Sequence, residues 1–246
     1  MAQVKLELKL LQATENPVAL IYAACRQCYS EQFAADIFTQ AKKQETKQEE
    51  FISKVIASGH LSPLEHVSFT FAVSGVSRAL SHQLVRHRIA SYSQQSQRYV
   101  KADDFGYVMP QSINRDQVLK AEFEAIIAAI RVSYDKILRR FEQKGITGEK
   151  ANQDARFILP QAAETKLVVT MNCRQLLHFF KQRCCERAQW EIRHLADKML
   201  TICKNVLPCV FLNAGAKCIE LGYCPEIEKF SCGKYPLKQT FMKDKK

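Results

Sequence analysis

The sequence predicts a mixed α/β protein of the α+β kind, and three observations predict it. Apolar residues alternate at Val4, Leu6, Leu8 and Leu10 and again at Val67, Phe69, Phe71 and Val73, the period of half-buried strands. A long helical pattern covers Gln117 to Gln143, with Leu119, Phe123, Ile126, Ile127, Ile130, Tyr134, Ile137, Leu138 and Phe141 on the spacing of a packed face. Strand and helix patterns succeed one another without an internal repeat or a long Pro- or Gly-rich linker. At 246 residues the chain is long enough for one domain or two close-packed lobes. We assign a single domain to residues 1–215 and leave 216–246 as a tail of unassigned role.

The elements follow in order. After the strand Val4 to Leu10, Asn16-Pro17 supplies an N-cap and a proline at the first helical position, opening a helix to about Tyr29. A polar helix is expected from about Gln44 to Ser58, stopped by Gly59. Ser62 and Glu65 have capping-box spacing around Pro63, so a short capped turn should present free backbone N–H groups. The strand from Val67 ends at Ser74-Gly75, and a helix from about Val76 to His87 buries Val76, Ala79, Leu80 and Leu84. Gln83, Arg86 and His87 then gather at its C-terminal end, where cations also suit the helix dipole. Beyond the long helix, Gly145 is a stop and Thr147 to Glu149 starts a shorter helix leading to Ala155-Arg156 and Pro160. Thr165 to Met171 reads as a third strand, Asn172 as the cap of a helix Cys173 to Cys185, and Arg187 to about Val206 as the helix holding the single tryptophan, Trp190.

Composition is ordinary at 47% hydrophobic and 25% charged residues, but the formal charge of +11 implies anionic partners. Part of that excess lies in the runs Lys42 to Lys47 and Lys238 to Lys246, which read as solvated charge. No apolar run reaches the length of a membrane span, and the alternating N-terminus lacks the apolar block of a signal peptide, so we expect a cytoplasmic protein that contacts no membrane. In that compartment the ten cysteines should be reduced thiols. Cys25-x-x-Cys28 falls inside a helix and reads as buried thiols rather than a redox pair. Cys218, Cys224 and Cys232 are spaced too loosely to read as a metal site without a fourth ligand, and no metal is assigned.

Chemistry concentrates between Arg86 and Tyr99. Three arginines, a histidine, three serines and three glutamines share these fourteen residues with no acid among them. Arginine forks, hydroxyls and amides without counter-charge suit a phosphorylated ligand. Further donors cluster at His60 to His66, at Arg156, and at Asn172 to Arg183, where Arg174 and His178 share a helix face. The chain contains no G-x-G-x-x-G, no P-loop and no G-x-S-x-G elbow, and no cysteine stands in a nucleophile context. Such a constellation holds an anion still and leaves the hard chemistry to a cofactor.

Arg86-His87-Arg88, then seven residues, then Ser96-Gln97-Arg98-Tyr99 resembles the signature of the flavin-dependent thymidylate synthases. His60-x-Ser62-Pro63-x-Glu65-His66 is similar to that family's upstream box, and Gly75-Val76-Ser77-Arg78 with Gln83-Leu84 to its central helix. Ala155-Arg156-x-x-Leu159-Pro160, Asn172-x-Arg174 and Arg187-Ala188-Gln189-Trp190-Glu191-Ile192 extend the likeness over roughly residues 4 to 215.

The resemblance implies a central, mostly antiparallel sheet with long flanking helices. It implies reductive methylation of dUMP to dTMP, with 5,10-methylenetetrahydrofolate as carbon donor, FAD as hydride carrier, NADPH as reductant and no enzyme nucleophile. It further implies a homotetramer whose active sites form between subunits, binding dUMP and folate but no nucleic acid. Carried onto this chain, Ser62, Glu65, Arg86, His87, Arg88, Gln94, Asn172, Arg174 and His178 bind FAD. Gln83, Arg86, Gln94, Gln95, Ser96, Gln97, Arg98, Arg156 and Arg183 bind dUMP, and His60 is placed toward the folate. Arg183 is the expected catalytic residue, favouring the N3-ionised uracil because a fixed cation stabilises charge where it develops.

Three positions depart from the family pattern. Ser93-Gln94 stands where many members have Asn-Glu, His178 where another has asparagine, and Gln182 where an aliphatic residue is usual. Gln94 cannot supply a carboxylate, so a flavin-binding homologue that has lost methylation is one alternative. A basic nucleic-acid-binding protein is another, for which Tyr92 and Tyr99 are the only aromatic residues within the cluster.

Overall fold

The computed structural model describes residues 2–42, 45–102 and 104–243. Strand β1 (Glu7–Ala13) is followed by helices α1 (Pro17–Gln27), α2 (Ala34–Ala41) and α3 (Glu45–Ala57), a 3-10 turn (Ser62–His66), strand β2 (Ser68–Ser77), helix α4 (Arg78–Leu84) and strand β3 (Ser91–Gln94). Helices α5 (Gln111–Asn114), α6 (Gln117–Gln143) and α7 (Gly148–Ala155) lead through a second 3-10 turn (Arg156–Ile158) to strand β4 (Glu164–Asn172). Helices α8 (Cys173–Arg183), α9 (Trp190–Val206), α10 (Pro208–Phe211), α11 (Lys217–Leu221) and α12 (Lys238–Lys243) complete the chain, with a 3-10 turn at Glu228–Phe230.

The four strands pair as one antiparallel sheet in the order β1-β2-β4-β3. Register between β2 and β4 is marked by the Thr70 and Thr170 hydroxyls, 2.9 Å apart, and by Gly75 N–H donating to Glu164 Oε1 at 3.0 Å. Alternate residues of β2 and β4 are buried, as the period-two pattern requires. Gly75 has φ of 66°, and a Cβ there would lie 1.9 Å from the Lys5 carbonyl oxygen, so only glycine permits this approach of the segment before β1 to β2.

The chain clusters into two compact units, each continuous with part of the strands. The described residues of Met1–Lys9, Ala72–Arg86 and Tyr92–Val168 form the first. Its core is Phe105, Tyr107, Met109, Ile127 and Ala163, with Phe123 and Leu159 packed against it. Leu10–Phe71, His87–Ser91 and the described residues of Val169–Lys246 form the second. Its core is aromatic: Phe69 meets Phe211 edge-on at 5.8 Å, and Phe180 meets Phe211 at 6.0 Å.

Several local expectations change. Asn16 adopts φ of 49° and offers no side-chain cap, so Pro17 alone marks the start of α1. Ser62 makes no capping hydrogen bond, and Glu65 turns to Arg174 instead, so the expected capping box is absent. β2 runs on through Gly75 to Ser77, whose hydroxyl caps α4 by accepting from Leu80 N–H at 3.0 Å. Helix α4 therefore starts later than expected and stops at Leu84, so His87 is not delivered by a helix face. Cys28 is exposed rather than buried, while Cys25 is buried. The alternation at residues 91–94, hidden in the polar signature, is a strand, and α2 carries no sequence signal that the pattern above used. The expected helix through Gln117–Gln143 and the Asn172 cap, which accepts from Gln175 N–H at 2.9 Å, are as the sequence predicts. Gln44, and parts of the two lysine runs at 43–44 and 244–246, lie outside the described residues.

Candidate functional site

The signature residues leave α4 as a turn rather than as more helix. Tyr92 donates its hydroxyl to the Leu84 carbonyl at 2.9 Å, tying the two ends of that turn together. Burial pushes the Tyr92 phenol up to about 12, so it stays a donor at any physiological pH. Between those ends His87 is buried while Val85, Arg86, Arg88 and Ile89 are exposed. Tyr92 is a positioning residue that motif reasoning passed over; its aromatic ring among polar neighbours was the available signal.

Within the second unit, His87 is the organising residue. Its ring packs edge-on to Phe179 at 4.9 Å and lies 6.2 Å from the ring of His178. Burial, then the Arg183 and His178 charges, lower its pKa from 6.5 to about 4, so the imidazole is neutral near pH 7. Arg183 Nε donates to His87 Nε2 at 3.0 Å. An arginine nitrogen is donor only, so Nε2 accepts and the ring proton sits on Nδ1. Burial also lowers the pKa of Arg183, which remains a cation all the same. Among the described residues no carboxylate pairs with Arg183, so its remaining N–H groups are available to a ligand.

Around this pair the same unit assembles Arg174, bonded to Glu65, and His178, within 2.9 Å of the Gln182 amide. Ser62, Glu65, Arg88, Arg174 and His178 are exposed, and Asn172 is half-buried because its side chain caps α8. His60 is exposed beside the 3-10 turn, and among the described residues no side-chain bond ties it to any of these. Seven of the expected flavin residues, Ser62, Glu65, His87, Arg88, Asn172, Arg174 and His178, thus belong to the second unit.

The first unit holds Arg86 and Gln94 from that set, together with the nucleotide residues other than Arg183. Gln94 Nε2 donates to the Thr165 hydroxyl at 2.9 Å, and Gln95 N–H to the Lys166 carbonyl at 2.8 Å, so β4 holds this stretch extended. Past the strand the chain tightens: Arg98 N–H donates to Ser96 Oγ at 3.2 Å, and Asn152 Nδ2 to the Arg98 carbonyl at 3.2 Å. Gln95, Ser96 and Gln97 line a hollow of about 140 Å³. Arg98 pairs with Glu149 and lies over the Tyr99 ring at 5.6 Å. Gln83 is half-buried, and its carbonyl accepts from Arg86 N–H at 3.3 Å. Arg156 opens the second 3-10 turn beside Arg78, whose pKa is lowered by burial and then by the Arg156 charge. Two neighbouring guanidiniums with no acid paired to either among the described residues attract an anion. Arg78 and Glu149 were not among the residues that sequence reasoning selected; both become visible only through their neighbours in space.

The chain matches the family model described as thymidylate synthase complementing protein over residues 9–209. It is 57% identical over 235 residues to the flavin-dependent thymidylate synthase of Nitratidesulfovibrio vulgaris, covering 94% of this chain and 96% of that one. The chain belongs to the flavin-dependent thymidylate synthase family. Relatives of the same name from Clostridium tetani and Geobacter sulfurreducens are each 47% identical, over 240 and 231 residues. Those alignments cover 93% of this chain in both cases, and 93% and 94% of the relatives. The chain is accordingly a flavin-dependent enzyme of dTMP synthesis. No helix among the described residues is long and apolar enough to cross a membrane.

Proposed function

We propose that the chain converts dUMP to dTMP by reductive methylation, with FAD as its flavin, 5,10-methylenetetrahydrofolate as carbon donor and NADPH as reductant. The observation that carries this proposal is Arg183, a partly buried cation held through Nε by a neutral histidine and paired with no carboxylate among the described residues. A fixed cation of that kind lowers the energy of a negative charge developing on a uracil ring.

The donor chemistry fits a flavin dinucleotide. Arg88, Arg174, His178 and Ser62 offer N–H and O–H groups from exposed positions, and Glu65, the acid among them, is already compensated by Arg174. Asn172, Arg86, Gln94 and His87 complete the set, and His87 also holds Arg183 through Nε2. When bound, reduced flavin supplies the hydride that completes the methyl group. Gln83, Gln94, Gln95, Ser96, Gln97, Arg98 and Arg156 hold dUMP, with Arg98 and Arg156 toward the phosphate and the amides toward the base. His60 faces the folate. No enzyme nucleophile is needed: burial holds the Cys25 thiol up at about 11 and raises that of Cys173 as well, so neither is a thiolate.

The assembly is a homotetramer with active sites between subunits, which accounts for apolar side chains left in solvent, such as Phe157 at 83% and Ile89 at 71% exposure. Ten free thiols suit the cytoplasm.

The deciding experiment is an anaerobic assay for dTMP from dUMP, methylenetetrahydrofolate and NADPH, on protein whose flavin spectrum has been recorded. Yellow protein forming dTMP is expected. Colourless protein that takes up no FAD on reconstitution would overturn the proposal. Flavin binding without dTMP would leave a flavoprotein that has lost methylation, and restored activity in Gln94→Glu would trace that loss to the missing carboxylate.

A further inference from the structure

Beyond residue 215 the chain folds against the end of α8 and is held there by charge. Lys181 pairs with Glu220, Lys234 with Glu186, and Arg187 with Glu226 while lying 4.5 Å over the Phe230 ring. The tail is also tied to itself: Cys224 N–H donates to the Pro236 carbonyl at 2.7 Å, and the Tyr223 and Phe241 rings lie 5.3 Å apart. Between tail and helix end lies a cavity of about 270 Å³. Its lining carries the cations Lys181, Arg183, Arg187 and Lys217 against a single acid, Glu226. Glu220 and Glu226 compensate Lys181 and Arg187, whereas among the described residues no carboxylate is paired with Arg183 or Lys217. Burial lowers the pKa of Arg183, the mark of a cation that has lost solvent without gaining an acid. Cys218 supplies no counter-charge, because burial first, and then the neighbouring Cys185, hold its thiol above the ordinary value.

We propose that this cavity binds the anionic arm of a co-substrate through Arg183 and Lys217. Two unpaired cations around one hollow match an arm of about two negative charges, whether a pair of carboxylates or a phosphate monoester. The inference rests on the dTMP synthesis proposed above, and both co-substrates of that reaction carry such an arm. In methylenetetrahydrofolate it is the glutamate, and in NADPH the 2′-phosphate.

Size and lining agree with an arm rather than a whole molecule. Sites for complete ligands occupy about 300–1,000 Å³, so about 270 Å³ takes one end of a co-substrate and leaves the rest outside. Phe230 and Tyr235 place aromatic surface beside the cations. That pairing suits both co-substrates, each of which has an aromatic ring near its anionic group. Arg183 lines the cavity and donates to His87, so an arm held there keeps its ligand beside the guanidinium proposed to act on uracil.

The test uses thiols, because Cys185 and Cys218 line the cavity and report its occupancy without turnover. The full chain is alkylated with iodoacetamide in the absence of oxygen, alone, with NADP⁺ or with tetrahydrofolate, and the labelled positions are mapped by mass spectrometry. One of the two ligands should slow labelling of Cys185 and Cys218 at least about fivefold, while the exposed Cys28 labels at one rate throughout. Protection by NADP⁺ but not NAD⁺ identifies the phosphate as the arm. Protection by tetrahydrofolate but not by tetrahydropteroate, which lacks the glutamate, identifies the carboxylates. Lys217→Glu should abolish the protection and raise the KM for that same co-substrate at least about tenfold, with flavin content and the KM for dUMP changed less than about twofold. The proposal fails if neither ligand protects, if protection survives Lys217→Glu, or if Cys185 and Cys218 resist labelling without ligand, since the cavity is then closed to solutes. Protection in a chain that forms no dTMP would uphold the site and overturn the proposed reaction; dTMP formation without protection would do the reverse.

Discussion

Replacing His87 isolates the electrostatics of the site, because a neutral histidine beneath a cation makes stability depend on pH. In the folded chain His87 has a pKa of about 4 against an ordinary 6.5. Between those values the unfolded chain binds a proton that the folded chain refuses, so stability is fully present above pH 6.5 and falls as the pH drops toward 4. At about 1.36 kcal/mol per tenfold in proton affinity, the displacement corresponds to about 3 kcal/mol. Partial access of water to the ring reduces the working figure to about 2 kcal/mol. The amide introduced by His87→Gln can still accept from Arg183 but cannot titrate. Urea unfolding of flavin-free protein at intervals from pH 4.5 to 7.5 compares the two. The wild-type chain should lose about 2 kcal/mol more than the variant across that range, and the difference should vanish above pH 7. Parallel stability curves, or an NMR titration placing the His87 pKa above about 6, would refute the reasoning.

Other consequences follow from the same contacts. Arg183→Ala should cut dTMP formation about 10²–10³-fold while flavin content per chain changes less than about twofold; equal losses would make Arg183 structural. Arg98→Ala should raise the KM for dUMP by about tenfold. Because Glu149 competes for the same guanidinium, Glu149→Gln should lower that KM, and an unchanged value in both variants would remove Arg98 from the nucleotide site. Gly75→Ala combines a left-handed backbone, costing about 1–2 kcal/mol, with a Cβ placed 1.9 Å from the Lys5 carbonyl oxygen. Its stability to urea should fall by more than about 3 kcal/mol; a loss below about 1 kcal/mol would show that the Lys5 segment moves easily away from β2.

Much of the architecture was legible before any coordinates. Helix α6 matches its expected bounds because twenty-seven residues of unbroken period leave little room for error. The strands near Phe69 and Val169 were readable from alternation. Boundaries were less so, since Ser77 rather than Val76 opens α4, and Gly75, which reads as a stop, sits inside β2. β3 was hidden because its residues, Ser91 to Gln94, are polar on both faces, which an edge strand tolerates.

The sequence by itself determined the fold class, the family and the types of residue available for chemistry, because periodicity and motif spacing are local properties of the chain. Tertiary structure decided which of those residues touch. His87 became a neutral acceptor for Arg183 only when Phe179 and His178 removed it from water, and nothing in Arg86-His87-Arg88 distinguishes the buried member from its exposed neighbours. Glu65 exchanged a cap for Arg174, 109 residues away. Partner choice across such distances depends on burial and charge in three dimensions, and that information is spread over the whole chain.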